Sequence, residues 1–243
     1  MSKGSAKPKK RLTTTAWILL IIVCFVATAI PTKPETPVFS YGVANMVIVI
    51  DPGHGGIDLG ATREDVIEET INLEIGQKLA NYLSQAGAIV IMLRGNDSDL
   101  AGDEFTGTIR ERKQKDMATR MQKANEAGAD LFISIHTNAV PSPGWSGAQA
   151  FYNPNSEKSK LIAGLIQEEL KRVLKNTNRT AGAGNYYVLK NSTMPAVLVE
   201  VGFLSNPREA QLLTDNEYQL KVAYAIFAGI ARAQIEQNEG IGS

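Results

Sequence analysis

Four short runs of consecutive apolar residues, rich in valine and isoleucine, constrain this sequence most. They span residues 46–50, 88–93, 131–135 and 196–201. Continuous apolar runs of this length are typical of strands buried on both faces, as in parallel sheets covered by helices. Stretches with helical periodicity alternate with them, at residues 68–84, 117–126, 158–174 and 217–234. This alternation predicts an α/β fold, a single layered domain with a mostly parallel central sheet flanked by helices.

The N-terminus has the charge and hydropathy pattern of an exported protein. Five basic residues and no acidic residue occupy the first eleven positions, and an uncharged, mostly apolar segment then continues to residue 30. This order is typical of a secretory signal or a signal anchor. Residues 12–30 are long enough to span a bilayer as a helix. We therefore expect a membrane anchor with the N-terminus inside, the alternative being a signal peptide cleaved at Ala27-Thr28-Ala29.

Composition divides the chain into five segments. They are a basic n-region at 1–11, the signal segment at 12–30, a linker with three prolines at 31–45, the folded catalytic domain at 46–237 and a flexible tail at 238–243. Prolines favour an extended linker. Within the domain we expect a short strand over 147–152 at an edge of the sheet. A charged loop is expected over 97–115, either as a lid or partner surface or as a solvated loop.

Charge and cysteine content exclude several classes of function. Downstream of the basic start, 20 basic and 25 acidic residues give a net charge of −5. No nucleic-acid partner is expected for so acidic a body. The single cysteine, Cys24, lies in the apolar N-terminal segment, so the folded domain has no thiol nucleophile and no disulfide. The absence of a Gly-x-Ser-x-Gly sequence disfavours a serine hydrolase.

The only two histidines of the chain both follow predicted strands. His54 lies in the glycine-rich turn Asp51-Pro-Gly-His-Gly-Gly56, and His136 ends the run Phe132-Ile-Ser-Ile-His136. Glu200 ends a third strand. Because ligands of open α/β sheets bind outside the carboxyl ends of the strands, we expect these side chains to share one rim. Two neutral imidazoles and a carboxylate are the usual ligands of a catalytic zinc ion with an open fourth position.

Two neighbouring acids could supply the carboxylate ligand. Glu68 and Glu69 begin the first long helix, just after the His54 turn, and either could reach back to it. Acidic residues in a first helical turn are also favoured by the helix dipole alone, so one of the two is expected to have only that role. Glu200 is expected to stay uncoordinated and to serve as general base.

Three segments together resemble a known family. Asp51-Pro-Gly-His-Gly-Gly56, Ser134-Ile-His-Thr-Asn-Ala139 and Val199-Glu-Val-Gly-Phe-Leu-Ser-Asn206 are similar to motifs of the zinc-dependent N-acetylmuramoyl-L-alanine amidases called amidase 3. The resemblance extends over about residues 46–235. Within the family, Trp145-Ser-Gly-Ala-Gln149 and the single N-terminal membrane segment are most similar to the CwlD-type amidases of spore-forming bacteria.

The resemblance implies a reaction, a substrate and a cofactor. The reaction is hydrolysis of the amide between the lactyl group of muramic acid and L-alanine of the peptidoglycan stem peptide, during muramic lactam formation in spore cortex and in germination. Zn²⁺ would be held by His54, Glu68 and His136, with Glu200 as the catalytic glutamate. Glu68 is preferred over Glu69 because Asn72-Leu73 follows it at the family's spacing. Glu69 departs from the family, which usually has lysine there.

The resemblance also implies a location and partners. The enzyme would face the cell wall or spore cortex, either anchored on the outer face of the membrane through its N-terminal segment or secreted. An activating wall or spore lipoprotein is a further partner that we expect.

Two other classes of function would use some of the same residues. A metal-independent glycosidase would use Glu68 and Glu200 as paired carboxylates, but it leaves both strand-end histidines unexplained. A non-catalytic, membrane-anchored wall-binding protein would be expected to lack a ligand or the carboxylate at position 200, and all four residues are present.

Overall fold

The structure is a computed structural model that describes residues 42–240, without the side chains of residues 238–240. The expected n-region, the signal or anchor segment, residues 31–41 of the linker and the last three residues of the tail lie outside this range. Within residues 42–240, no helix combines the length and the apolar character needed to cross a membrane.

Six strands form the central sheet. They are β1 (Val47–Pro52), β4 (Ile89–Met92), β5 (Leu131–Asn138), β6 (Gln149–Tyr152), β7 (Gly182–Ala183) and β8 (Ala196–Phe203). Their order across the sheet is β4-β1-β5-β8-β6-β7, and every neighbouring pair is parallel except β6 with β8. A separate two-stranded hairpin, β2 (Thr62–Arg63) with β3 (Val66–Ile67), follows the His54 turn. The prediction of an α/β fold with a mostly parallel sheet is confirmed.

Helices cover both faces of this sheet, as the continuous apolar runs predict. They are α1 (Glu68–Gln85), α2 (Ile109–Glu126), α3 (Glu157–Leu174), α4 (Tyr187–Asn191), α5 (Pro207–Leu213) and α6 (Asn216–Gly240). The larger apolar core lies between the sheet and helices α1, α3 and α6. A smaller core on the opposite face packs α2 and α4 against Val49, Phe132 and Leu198. The alternation of side chains along β5 and β8 points Ser134, His136 and Glu200 toward this second face.

Three local predictions differ from the structure. Helix α2 begins at Ile109 rather than 117, so the last seven residues of the expected charged loop over 97–115 are helical. Its start is fixed by a capping box, in which Thr108 and Glu111 satisfy each other's backbone N–H groups. Strand β6 is not an edge strand, because the two-residue β7 pairs beyond it. The short helix α4 was not predicted, since one turn of helix leaves little periodicity to detect.

Candidate active site and metal centre

The carboxyl ends of three neighbouring strands bring the singled-out side chains to one rim. His136 of β5 is in register with Glu200 of β8, and His54 follows β1 by two residues. Glu68 begins α1 and accepts a hydrogen bond from the backbone N–H of Thr137, next to His136 (3.0 Å). Residues 146 positions apart in sequence therefore meet because parallel strands end at the same edge of the sheet.

His54, Glu68 and His136 form a cluster with the dimensions of a metal site. Each offers one ligand atom, and these atoms lie within 4.8 Å of one another. Glu68 Oε1 is 3.2 Å from His54 Nε2 and 3.2 Å from His136 Nδ1. Two imidazole nitrogens and a carboxylate oxygen, converging on one point, are a donor set that suits zinc with one position left open. The residues present therefore fit the metal that the sequence motifs imply.

Glu68 and Glu69 point to different surroundings. The carboxylate of Glu68 faces the two histidines, and its second oxygen accepts the backbone N–H of Ala61 (2.8 Å). The carboxylate of Glu69 lies 3.4 Å from the guanidinium of Arg94 and accepts the hydroxyl of Thr70 (2.7 Å). Since Glu69 is engaged by an arginine, the geometry leaves Glu68 as the carboxylate that faces the cluster.

Asp58 and Lys113 fix the orientation of the His54 ring. Asp58 Oδ2 lies 2.9 Å from His54 Nδ1, which leaves Nε2 directed toward Glu68. Lys113, from helix α2, donates to the other oxygen of Asp58 at 2.7 Å. A carboxylate that binds the distal nitrogen of a ligating histidine is a recurrent support of metal sites. Neither residue was singled out from the sequence, and the position of Lys113 depends on how α2 packs.

The pKa values within the cluster reflect its mixed charges. Burial alone lowers the pKa of His54, but hydrogen bonds and charges from Asp58 and Glu68 outweigh it and raise that pKa to about 9. Burial raises the pKa of Glu68, but its hydrogen bonds with His136 and His54 hold the pKa well below its usual range. The pKa of Asp58 is likewise lowered, chiefly by its hydrogen bond with His54.

Glu200 is a buried carboxylate beside this cluster. Only 8% of its surface is exposed, and burial is the main cause that raises its pKa to about 7. The charges of His136 and His54 lower this pKa and that of Glu68 raises it. Among the described residues, its Oε2 atom has no hydrogen-bond partner. An unpaired carboxylate with a pKa near neutrality is well suited to accept a proton during a reaction.

Two buried arginines hold the turn that carries His54. Arg120 donates to the backbone carbonyls of Pro52 (2.9 Å) and His54 (2.6 Å), and Arg94 donates to those of Pro52 (2.8 Å) and Gly53 (3.0 Å). His54 itself has a φ of 64°, a left-handed conformation that is unfavourable for a non-glycine residue. Such a conformation persists when the surroundings over-determine it, which the arginines achieve here.

Two glycines permit the close approach of the site residues. A Cβ atom on Gly53 would overlap the ring of His136. A Cβ on Gly60 would lie 2.6 Å from Glu68 Oε2 and 2.8 Å from His54 Cδ2, and Gly60 also has a φ of +67°. The glycines of this region therefore leave room for the candidate ligand side chains as well as allowing the turn.

With this geometry established, comparison with known proteins identifies the family. Residues 48–232 match the N-acetylmuramoyl-L-alanine amidases. The chain belongs to this family. The amidase activity and the hydrolase class predicted from the sequence motifs are thereby confirmed, with peptidoglycan as the substrate. The family favours this activity over both the glycosidase and the non-catalytic wall-binding protein.

Individual relatives of this amidase resemble it over most of its length. The germination-specific N-acetylmuramoyl-L-alanine amidase of Bacillus subtilis (strain 168) is 44% identical over 202 residues, which are 83% of this chain and 85% of the relative. The CwlD amidase of Clostridioides difficile, solved in complex with the GerS lipoprotein, is 41% identical with a TM-score of 0.76, over 78% of this chain and 98% of that one. The catalytic domain of the amidase CwlV from Bacillus (Paenibacillus) polymyxa var. colistinus is 32% identical with a TM-score of 0.66. The match covers 77% of this chain and 97% of that one.

Proposed function

We propose that this amidase is zinc-dependent, with His54, Glu68 and His136 as the metal ligands and Glu200 as the general base. The observation that carries the proposal is the convergence of three ligand atoms within 4.8 Å, beside a buried carboxylate that has an unpaired oxygen. Asp58 would fix the tautomer of His54, so that Nδ1 carries the proton and Nε2 is free to bind the metal.

The reaction is hydrolysis of the bond between the lactyl carbonyl of muramic acid and the nitrogen of L-alanine. A zinc ion at this site would supply a Lewis acid that polarises a carbonyl and lowers the pKa of water toward 7. Glu200, in its ionised form, accepts a proton from the attacking water and transfers it to the leaving nitrogen. The carbon–nitrogen bond breaks, and the products are a lactyl carboxylate and a free L-alanine amine. Burial raises the pKa of Glu200 to about 7, so near neutral pH this side chain can both accept and release a proton.

The biological setting that we propose is the spore cortex, in muramic lactam formation and germination. The B. subtilis relative is named as a germination-specific amidase, which supports this setting. The structure of the C. difficile relative with a lipoprotein supports an activating lipoprotein as the partner. Since peptidoglycan lies outside the cytoplasmic membrane, the domain would work there. Residues 12–30 would anchor it or direct its export.

Mass spectrometry of purified peptidoglycan tests the proposal. The full-length protein with zinc should release stem peptides that have a new L-alanine amino terminus, and a chelator should abolish the release. Glu200→Gln should release none, whereas Glu69→Gln, which changes the neighbouring acid, should retain activity. New reducing sugar ends that persist with chelator would instead establish a glycosidase. Binding to peptidoglycan without any cleavage, even with the partner lipoprotein present, would establish a non-catalytic protein.

A further inference from the structure

We propose that Trp145 and Arg179 form a sugar-binding platform at the rim of the site, which binds the glycan strand that carries the scissile amide. The proposal rests on the function given above and adds the part of the substrate that is recognised beyond the amide. The platform is built from residues of the Trp145–Gln149 segment and of the chain that leads to β7.

Trp145 is an exposed aromatic side chain in a well-defined setting. Its surface is 53% exposed, whereas Phe203, on which it stacks with 6.4 Å between ring centres, is only 4% exposed. The guanidinium of Arg179 lies 5.1 Å from the centre of the Trp145 ring and 5.2 Å from that of Phe203. The carbonyl of Trp145 accepts a hydrogen bond from the side chain of Asn206 (3.1 Å). The indole is therefore held on the protein surface while half of it faces solvent.

One residue, Gln149, separates the platform from the proposed general base. Gln149 of β6 is directly opposite Glu200 of β8 in an antiparallel pair, so their side chains share one face, with Cβ atoms about 4.5–5.5 Å apart. Arg179 donates to the side-chain oxygen of Gln149 at 3.3 Å. A continuous line of side chains thus connects Glu200, through Gln149, with Arg179 and Trp145. A ligand that occupies the site can extend onto the platform.

Arg179 keeps hydrogen-bonding capacity for a ligand. Of its five N–H donors, three are used by the carbonyl of Ser146 and the side chain of Gln149. Among the side chains of residues 42–237, no carboxylate lies within 4.0 Å of its guanidinium. Burial raises the pKa of Glu209 and the charge of Arg179 opposes this rise, but the oxygens of Glu209 accept hydrogen bonds from the backbone N–H groups of Gly147 and Phe203.

This combination suits an N-acetylated sugar. The apolar C–H face of a pyranose ring packs flat against an indole, and its hydroxyl and acetamido oxygens accept hydrogen bonds from a neighbouring guanidinium. The stem peptide, with several carboxylates, would be matched better by a group of cations than by one arginine beside a flat ring. The scissile amide joins the lactyl group of muramic acid to L-alanine, so both glycan and peptide lie within reach of the platform, and its flat aromatic surface decides between them. The platform therefore favours glycan over peptide.

A fluorescence titration tests the platform without any cleavage. The chain has two tryptophans, Trp17 and Trp145, so the full-length Trp17→Phe, Glu200→Gln double variant carries Trp145 as its only indole. Peptide-free glycan strands should change its emission in a saturable way, and glycan-free stem peptide should not. A response to the peptide but not to the glycan would overturn the proposal, as would no response to either.

Steady-state kinetics on peptidoglycan give a second, independent readout. Trp145→Ala should raise KM about tenfold and leave kcat within about twofold, because an exposed aromatic anchor contributes to binding rather than to proton transfer. Trp145→Phe keeps a flat ring and should recover most of the loss. Tyr224→Ala, which removes another exposed aromatic ring on helix α6, should leave KM unchanged.

Failure of the platform and failure of the proposed amidase function give different results. An unchanged KM for Trp145→Ala, in a variant whose thermal unfolding shows that it is folded, would overturn the platform and leave the amidase intact. Absence of peptide release by the wild-type protein would instead contradict the proposed function. The fluorescence titration would still decide whether the platform binds glycan.

Discussion

At the scale of single residues, Glu200 shows a conflict between stability and chemistry. Its burial, with one oxygen unpaired, makes the ionised form unfavourable in the fold and raises its pKa from 4.5 to about 7. A folded-state pKa above the unfolded value means that ionisation opposes folding. This destabilisation is complete above about pH 7 and disappears below about pH 4.5, where the group is protonated in both states. The same environment gives the proposed base a pKa near the pH at which it would work.

Glu200→Gln should therefore abolish amidase activity and stabilise the metal-free protein at pH 8. We expect the free energy of unfolding to rise by about 1–3 kcal/mol, since an uncompensated buried charge is removed. At pH 4 the two proteins should have equal stability, because the wild-type side chain is then neutral. Thermal unfolding with chelator at both pH values measures this difference. Equal stability of the two proteins at pH 8 would show that the charge of Glu200 does not destabilise the fold.

Asp58 lies outside the proposed ligand set but contacts one of its members. It contacts the distal nitrogen of His54 and is itself held by Lys113. Asp58→Ala should weaken zinc binding by about 10–100-fold, because His54 loses the partner that fixes its ring and tautomer. Competition with a chromophoric chelator measures the zinc dissociation constant. Asp65→Ala, at an exposed acid of the nearby hairpin, should leave it unchanged. Equal affinities for the two variants would exclude this role of Asp58.

At the scale of elements, the turn after β1 depends on side chains that come from other parts of the chain. Arg120 lies on helix α2 and Arg94 follows β4, yet both donate to carbonyls of this turn. Arg120 is 1% exposed and pairs with Asp51 (2.7 Å) and Asp116 (2.9 Å). The ion pairs and the carbonyl hydrogen bonds together satisfy a charge that would otherwise be costly to bury.

Arg120→Met should destabilise the fold by about 3–5 kcal/mol, because it leaves two buried carboxylates without their cation. The His54 turn should loosen as well, so zinc should bind more weakly to the fraction that stays folded. Urea unfolding measures the first effect and chelator competition the second. Arg110→Met, at an exposed position in the first turn of α2, should change the free energy of unfolding by less than about 0.5 kcal/mol. A small effect at both positions would mean that Asp51 and Asp116 find other partners.

The sequence predicted the elements best where patterning was strong. The four buried runs became β1, β4, β5 and β8, since continuous β-branched stretches leave few alternatives to a central strand. The start of α2 was missed because its first turns are charged and exposed, and only the capping pair Thr108–Glu111 marks it. The position of β6 was missed because a two-residue strand such as β7 carries no periodicity.

At the scale of the whole molecule, the site was predictable where topology alone determines it. Side chains at the carboxyl ends of parallel strands meet at one rim, so the meeting of His54, His136 and Glu200 could be predicted without knowledge of their contacts. The distinction between Glu68 and Glu69 required the family's spacing, and the structure adds its cause, the contact of Glu69 with Arg94. Lys113 could not be predicted, because its position follows from the packing of α2.

The proposed metal would connect parts of the fold that are distant in sequence. His54 follows β1, Glu68 begins α1 and His136 lies two residues before the end of β5, so a bound ion would link three elements of the domain. An ion that binds the folded chain in preference to the unfolded chain stabilises it, by about 2.7 kcal/mol at a hundredfold excess over the dissociation constant. Zinc should therefore raise the unfolding temperature of the wild-type protein, by about 5–10 °C for a domain of this size. His136→Ala should remove this shift, whereas Glu69→Gln should retain it. Differential scanning calorimetry with and without zinc measures both, and a shift that survives His136→Ala would place the metal elsewhere.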